Sequence, residues 1–345
     1  MVDVAVLGAT GLVGQNFIQI LANNPLFEIK SVAASERSKG LKYSKAVKWR
    51  LPKEIPEEVR DLEVVSPTPK EVGDVEAVFS ALPADIAYSI EGEFAKAGYI
   101  VLSNASSHRM DKYVPILNPE VNGEHIKLID LQREEKKWDG AIVTNPNCTT
   151  AILTLSLKPI YDKFGIKSVI VSTMQALSGA GYPGVASLDI VDNIIPFIEK
   201  EEEKVQTETL KIMGSIESYA EFKISASCHR VQTTDGHMEA VFIETCERTD
   251  PEKVMKVMES FKSEPQLLKL PTAPEKPIIV RKENDRPQPK LDRMEGNGMS
   301  VVVGRVRKDP VFNGIKYIVL GHNLIRGAAG CSVLNAEYLK AKGYL

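Results

Sequence analysis

The sequence predicts an α/β protein of two domains. Short apolar strands alternate with helices up to about residue 147, which predicts a parallel sheet covered by helices on both faces. Beyond residue 150 the strand signals lengthen and are joined by turns, which predicts an α+β domain with a mostly antiparallel sheet. A chain of 345 residues is also longer than one small core organises.

The elements follow in order. Residues 2–7 form a continuous apolar strand that runs into Gly8-Ala9-Thr10-Gly11-Leu12-Val13-Gly14 and a helix to about residue 23. Further strands are expected at 29–34, 75–80, 99–102 and 141–144, with a helix at 86–97. Pro146 disfavours helix for Asn145 and sharpens the turn before an apolar helix over 149–157. In the second half, strands are expected at 167–176, 223–232, 237–245, 299–306 and 316–320, the second and third of these joined as a hairpin by the Asp235-Gly236 turn. Residues 265–289, rich in proline and charge, read as a surface excursion and not as core. The last segment, 323–342, reads as a helix that returns to the first domain, with Gly327, Ala328, Ala329 and Gly330 allowing close packing. The expected boundaries are 1–147 plus 323–345 for the first domain and 148–322 for the second.

Composition narrows the function. A net charge of -3 with no basic stripe argues against nucleic acid and anionic membrane surfaces as partners. No apolar run is long enough to span a bilayer, and the N-terminal segment lacks the pattern of a signal peptide. Four scattered cysteines (Cys148, Cys228, Cys246 and Cys331) form no Cys-x-x-Cys pair, so a metal-free cytoplasmic protein is expected. Cys228 and His229 are adjacent on a strand, point to opposite faces and make a poor ligand pair.

Asn145-Pro146-Asn147-Cys148-Thr149 carries the chemistry. A thiol in the first turn of a helix meets unpaired N–H groups and the positive end of the macrodipole, which favour the nucleophilic thiolate. The glycines at 8, 11 and 14, directly after a strand, suit a backbone that turns tightly and approaches a pyrophosphate. At the end of the second strand, Ser35, Arg37 and Ser38 suit a ribose 2′-phosphate, which favours NADP; Glu36 is the alternative, an acidic reader of NAD. Arg230 and His237 flank the Asp-Gly turn. Arginine suits bidentate binding of a carboxylate, and histidine suits proton transfer near neutral pH. The loop from Ser103 through Asn104 to Arg109 offers hydroxyls, an amide and a guanidinium at the carboxyl end of a parallel sheet. Ser178-Gly179-Ala180-Gly181 is either a close approach to the cofactor or a turn, and the charge run 199–204 reads on its own as a solvated helix face.

Taken together, GATGLVG, SNASSHRM, NPNC, SGAGYPG, the EEEK run, HRVQTTDGH and GHNLIRGAAG resemble the aspartate-β-semialdehyde dehydrogenases of archaeal and fungal type, over nearly the whole chain. The resemblance implies a Rossmann-type NADP(H)-binding domain and a catalytic and dimerisation domain. It also implies the NADPH-dependent conversion of β-aspartyl phosphate to aspartate semialdehyde and phosphate in an assembly of two or four copies. Malonyl-CoA reductases and N-acetylglutamyl-phosphate reductases are the rival relatives. The catalytic residues implied are Cys148 as nucleophile, Gln175 orienting the acyl group and His237 as acid/base. The substrate residues implied are Arg230 for the α-carboxylate, Glu201 for the amino group, and Arg109 and Lys204 for phosphate, with Asn104 beside them. Cofactor contacts fall on Gly8, Thr10, Gly11, Leu12, Val13, Gly14, Ser35, Arg37, Ser38, Ser80, Leu82, Ser178, Gly179 and Asn323. Backbone N–H groups beside Cys148 would receive the oxyanion of the reaction.

Overall fold

The computed structural model describes residues 1–345. Its first sheet has six parallel strands: β1 Val2–Leu7, β2 Phe27–Ala33, β3 Val64–Val65, β4 Ala77–Ser80, β5 Ile100–Ser103 and β6 Ala141–Thr144. The order β3-β2-β1-β4-β5-β6 reverses direction at β1/β4, where open sheets of this kind bind ligands. Strands β4, β5 and β6 are buried along their whole length, as a sheet covered on both faces requires. One face packs on the helix Ala84–Lys96, through Ala87 and Phe94 against Val78, Val101 and Ile142. The other packs on the first helix, Leu12–Leu21, and on the C-terminal helix Gly330–Ala341. Phe17, Phe79, Val333, Leu334 and Leu339 share that core. The last segment therefore returns to the first sheet, as its composition predicts.

Between β1 and the first helix, Gly8 has a φ of +73°, and a side chain there would strike the Ala81 carbonyl. Gly14 lies against the Gly8 carbonyl, which a Cβ would strike in turn. Both glycines hold the helix N-terminus close to the strand ends.

The second sheet contains β7 Ile166–Gln175, β8 Lys223–Arg230, β9 His237–Thr245, β10 Ile278–Val280, β11 Val301–Lys308 and β12 Gly314–Gly321, in the order β10-β11-β12-β9-β7-β8. Its pairings at β11/β12, β12/β9 and β9/β7 are antiparallel, and those at β10/β11 and β7/β8 are parallel. This topology corrects two expectations. Strands β8 and β9 are not a hairpin: β7 lies between them, parallel to β8 and antiparallel to β9. The Asp-Gly turn reverses the chain, but a local turn signal does not specify which strand fills the gap. The excursion 265–289 is also not all surface. Ile278, Ile279 and Val280 add an edge strand parallel to Val301–Val303, and Pro265 and Leu270 are buried.

One face of this sheet is covered. The 17-residue helix Cys148–Phe164 lies on it, with Leu153, Leu155 and Ile160 in one core with Val169, Val171, Val241 and Tyr317. The helix Glu201–Met213 packs beside it through Val205 and Ile212. On β9 burial alternates, so His237, Glu239, Val241 and Ile243 all face these helices. That alternation aims His237 at the start of the Cys148 helix.

Candidate active site

The Cys148 helix begins at the cysteine because Asn147 caps it. The Asn147 Oδ1 accepts the N–H groups of Thr149 (3.0 Å) and Thr150 (3.2 Å), satisfying two of the free donors of the first turn. The Ala151 N–H goes to the Asn147 carbonyl. Only the Cys148 N–H is left without an acceptor, so the donors expected for an oxyanion narrow to that single amide.

The Cys148 Sγ lies 3.2 Å from the Nε2 of His237. The other ring nitrogen, Nδ1, accepts the backbone N–H of Ala176 at 3.1 Å, which assigns the proton of the neutral ring to Nε2 and points it at sulfur. The carbonyl of the same Ala176 accepts a hydrogen bond from Arg230 Nη1 at 2.8 Å. The register explains why one residue serves both. Arg230 ends β8 opposite Gln175, and His237 starts β9 on the other side of β7, so both side chains meet just past the end of β7. A Cβ on Gly179 would lie 2.8 Å from Arg230 Nη1 and 3.0 Å from His237 Cε1, so a side chain there would press on the pair.

Charge in the site opposes the expectation that the helix terminus favours the thiolate. Burial and the Glu201 carboxylate push the Cys148 thiol up to about 12, against the pull of Arg230, Arg109 and the Thr149 N–H. Burial, with Arg230 and His322 nearby, pushes His237 down to about 3. Without substrate the pair is therefore thiol and neutral imidazole. The first-turn amides that the sequence leaves free for the thiolate are in large part occupied by Asn147.

Four residues along one face of the Glu201 helix, at i, i+3, i+7 and i+10, serve the site. The Glu201 carboxylate is buried and accepts Asn147 Nδ2 at 2.9 Å. Lys204 Nζ is 3.7 Å from Glu201, so Lys204 is paired and half-buried. Glu208 binds both Arg109 and the Asn147 N–H. Lys211 donates to the carbonyls of Arg109, Asp111 and Val114 at 2.6, 2.9 and 3.0 Å, stapling the loop after β5. Of the neighbouring glutamates, Glu202 accepts the Cys228 N–H and Glu203 points to solvent. The run 199–204 is thus no uniform solvated face.

The remaining predicted residues divide. Gln175 is buried, and its amide nitrogen donates to Thr149 Oγ1 (2.8 Å) at the base of the nucleophile turn. Asn104 accepts Asn145 Nδ2 on its side chain and Arg109 Nη2 on its carbonyl. Asn323 joins the Asp-Gly turn to Ser178, accepting the Gly236 N–H and donating to Ser178 Oγ, each at 2.8 Å. Gly327, from the C-terminal segment, lies against the Cys148 backbone, where a Cβ would come within 2.9 Å of its Cα.

A cleft of about 1290 Å³ runs between the domains, lined by Leu12 of the first and by Ser178, Tyr182 and Thr234 of the second. Arg50 donates to the Tyr182 hydroxyl across it at 2.7 Å. Gly8, Thr10 and Gly11 lie in the turn before the helix Leu12–Leu21, Val13 and Gly14 in its first turn, and Ser80 and Leu82 are buried at and just after the end of β4. Ser35, Arg37 and Ser38 lie beyond the cleft, after β2. Arg37 is exposed, whereas the Glu36 carboxylate is held by Ser66 Oγ at 2.6 Å. These residues fit NADP: a helix N-terminus for the pyrophosphate, and an arginine with two serines for the 2′-phosphate.

Known proteins are similar to this chain over nearly its whole length. The family profile "Semialdehyde dehydrogenase, NAD binding domain" matches residues 3–129, and "Semialdehyde dehydrogenase, dimerisation domain" matches residues 157–326. An aspartate-semialdehyde dehydrogenase of Methanothermobacter thermautotrophicus is 55% identical over 98% of this chain and 99% of its own. The chain belongs to the aspartate-semialdehyde dehydrogenase family. A malonyl CoA reductase (NADP) of Metallosphaera sedula is 45% identical over 99% of this chain and 97% of its own. The crystal structure of the aspartate semialdehyde dehydrogenase of Candida albicans with NADP superposes with a TM-score of 0.91 at 39% identity, covering 100% of both chains. Glu208, Lys211, Ala176 and the Asn147 cap are supports of this constellation that sequence reasoning missed.

Proposed function

We propose that this chain catalyses the reversible, NADPH-dependent reductive dephosphorylation of β-aspartyl phosphate to aspartate semialdehyde, through a thioester on Cys148. The observation that carries this is the convergence of Arg230, His237 and Glu201 on the Cys148 turn. It offers a carboxylate clamp and an ammonium acceptor on either side of one sulfur. A site that buries both selects an α-amino acid and rejects acyl groups lacking them.

The residues divide the work. The Cys148 thiol gives up its proton as the sulfur adds to the acyl carbon; the bond to the phosphate oxygen breaks, and phosphate leaves toward Arg109 and Lys204 carrying that proton. NADPH supplies hydride to the thioester carbon. The Cys148 N–H donates to the oxyanion formed at that carbon. The carbon–sulfur bond then breaks, and the His237 Nε2–H steadies the departing thiolate. Gln175 braces the nucleophile turn through Thr149.

The exposed apolar residues of the second domain support a homo-oligomer, a dimer or a tetramer. Leu188, Val191, Ile194 and Phe197 stand in solvent beside β8, and Ile170 is exposed on the uncovered face of β7. We read the domain boundaries as 1–147 with 323–345, and 148–322. The protein is read as cytoplasmic; no helix is long and apolar enough to cross a membrane.

The malonyl CoA reductase relative gives the second reading its basis. Phosphate-dependent reduction of NADP by aspartate semialdehyde, measured beside oxidation of NADPH by malonyl-CoA, separates the two. Turnover of malonyl-CoA with none of the semialdehyde would overturn the first.

A further inference from the structure

The Arg109 guanidinium is buried and anchored. It is 6% exposed and is held at two points, with Nη1 donating to Glu208 Oε1 at 2.9 Å and Nη2 to the Asn104 carbonyl at 3.0 Å. Its buried Nε has no partner, and an unsatisfied buried donor is expensive unless a ligand oxygen completes it. Glu208 is itself 2% exposed, and its second oxygen accepts the N–H of Asn147 at 2.7 Å, one residue before the nucleophile. One buried carboxylate therefore spans the loop that carries Arg109 and the turn that carries Cys148. It also offsets the arginine's charge, so what remains is an aimed N–H donor and not a free cation.

We propose that Glu208 is a positioning residue: it locks Arg109 against the Cys148 turn, so that the phosphate subsite and the nucleophile keep one spacing. The proposal rests on the reading of Arg109 as a phosphate ligand. Glu208→Gln retains an acceptor for the Asn147 N–H but turns its amide N–H groups toward Arg109, donor against donor. The arginine then keeps only the Asn104 carbonyl, while the Arg230 and Glu201 contacts to the amino acid stay in place.

The test is steady-state oxidation of aspartate semialdehyde by the full chain with NADP, varying inorganic phosphate and semialdehyde independently. In Glu208→Gln the KM for phosphate should rise at least ~10-fold, while that for semialdehyde stays within about twofold. In an Arg109→Lys background the same substitution should change the phosphate KM by less than about twofold, because the two residues act as a unit. A phosphate KM unchanged in the single variant, both KM values rising together, or the full effect persisting in the Arg109→Lys background would each overturn the proposal. If the Gln variant lacks a cooperative melt, Glu208→Asp takes its place; the carboxylate is withdrawn by one methylene, and the same split is expected. A wild-type enzyme indifferent to phosphate would overturn the underlying reading before any substitution is made.

Discussion

At Cys148 two neighbours pull the thiol in opposite directions: Glu201 disfavours the thiolate, and Arg230 favours it. Removing the carboxylate should therefore lower the thiol's apparent pKa. Glu201→Gln is expected to be alkylated by iodoacetamide several-fold faster than wild type at pH 8, and a slower rate would mean that Glu201 favours the thiolate instead. In wild type the rate should keep climbing above pH 9. His237, pushed down to about 3, should add no limb to kcat/KM between pH 5 and 8. A limb near 6.5 that vanished in His237→Asn would contradict the neutral Nε2–H form. Gly179→Ala should lower kcat at least ~10-fold, since its Cβ would press on Arg230 and His237 beside the nucleophile. The residues that meet at the Cys148 turn were legible in the sequence. Their supports were less so: Ala176 acts through its peptide groups, which any residue carries, and Glu208 is seven positions from Glu201 on a helix whose start was not located. A helical reading begun at Glu201 would have put Glu201, Lys204, Glu208 and Lys211 on one face.

The elements were readable where their length or burial was extreme. Strands such as Ala77–Ser80 and Ile100–Ser103 are buried throughout and apolar up to their last residue because both faces are covered, and no turn chemistry confuses them. Two- and three-residue strands such as Val64–Val65 and Ile278–Val280 are too short to show a period. The insertion of β7 between β8 and β9 is a long-range choice that no local turn encodes. Two helix termini carry predictions. Asn147→Ala removes the cap of the Cys148 helix and should cost about 1 kcal/mol of stability, measured by urea denaturation. It should also lower kcat disproportionately, because the same side chain holds Glu201. Lys211→Met leaves three carbonyls of the loop at 109–114 without their shared donor; a loss of roughly 2–4 kcal/mol is expected, with hydrogen exchange rising first in that loop.

For the whole molecule, buried histidines and buried carboxyls set opposing dependences on acid. His237, His322 and His125 are all pushed below their ordinary value by burial. Below about pH 6.5 the unfolded chain binds protons that these folded rings refuse, so their contribution to stability falls as pH falls. Glu91, Glu239 and Glu337 are pushed up by burial and act in the other sense. The clean test is a difference. Relative to wild type, His322→Gln should gain about 2 kcal/mol of stability between pH 6.5 and pH 5, read from paired denaturant curves. A constant gap would show that His322 protonates freely in the fold. The return of the C-terminal helix to the first sheet has a further consequence, for synthesis. Phe17 and Phe79 leave the ribosome early, yet Val333, Leu334 and Leu339, which close their core, are made last. The second sheet, continuous from Ile166 to Gly321, has all its strands in hand before that. The half translated first is thus the half completed last, and a nascent chain stalled before residue 330 would expose an unfinished cofactor domain to chaperones beside an already assembled partner.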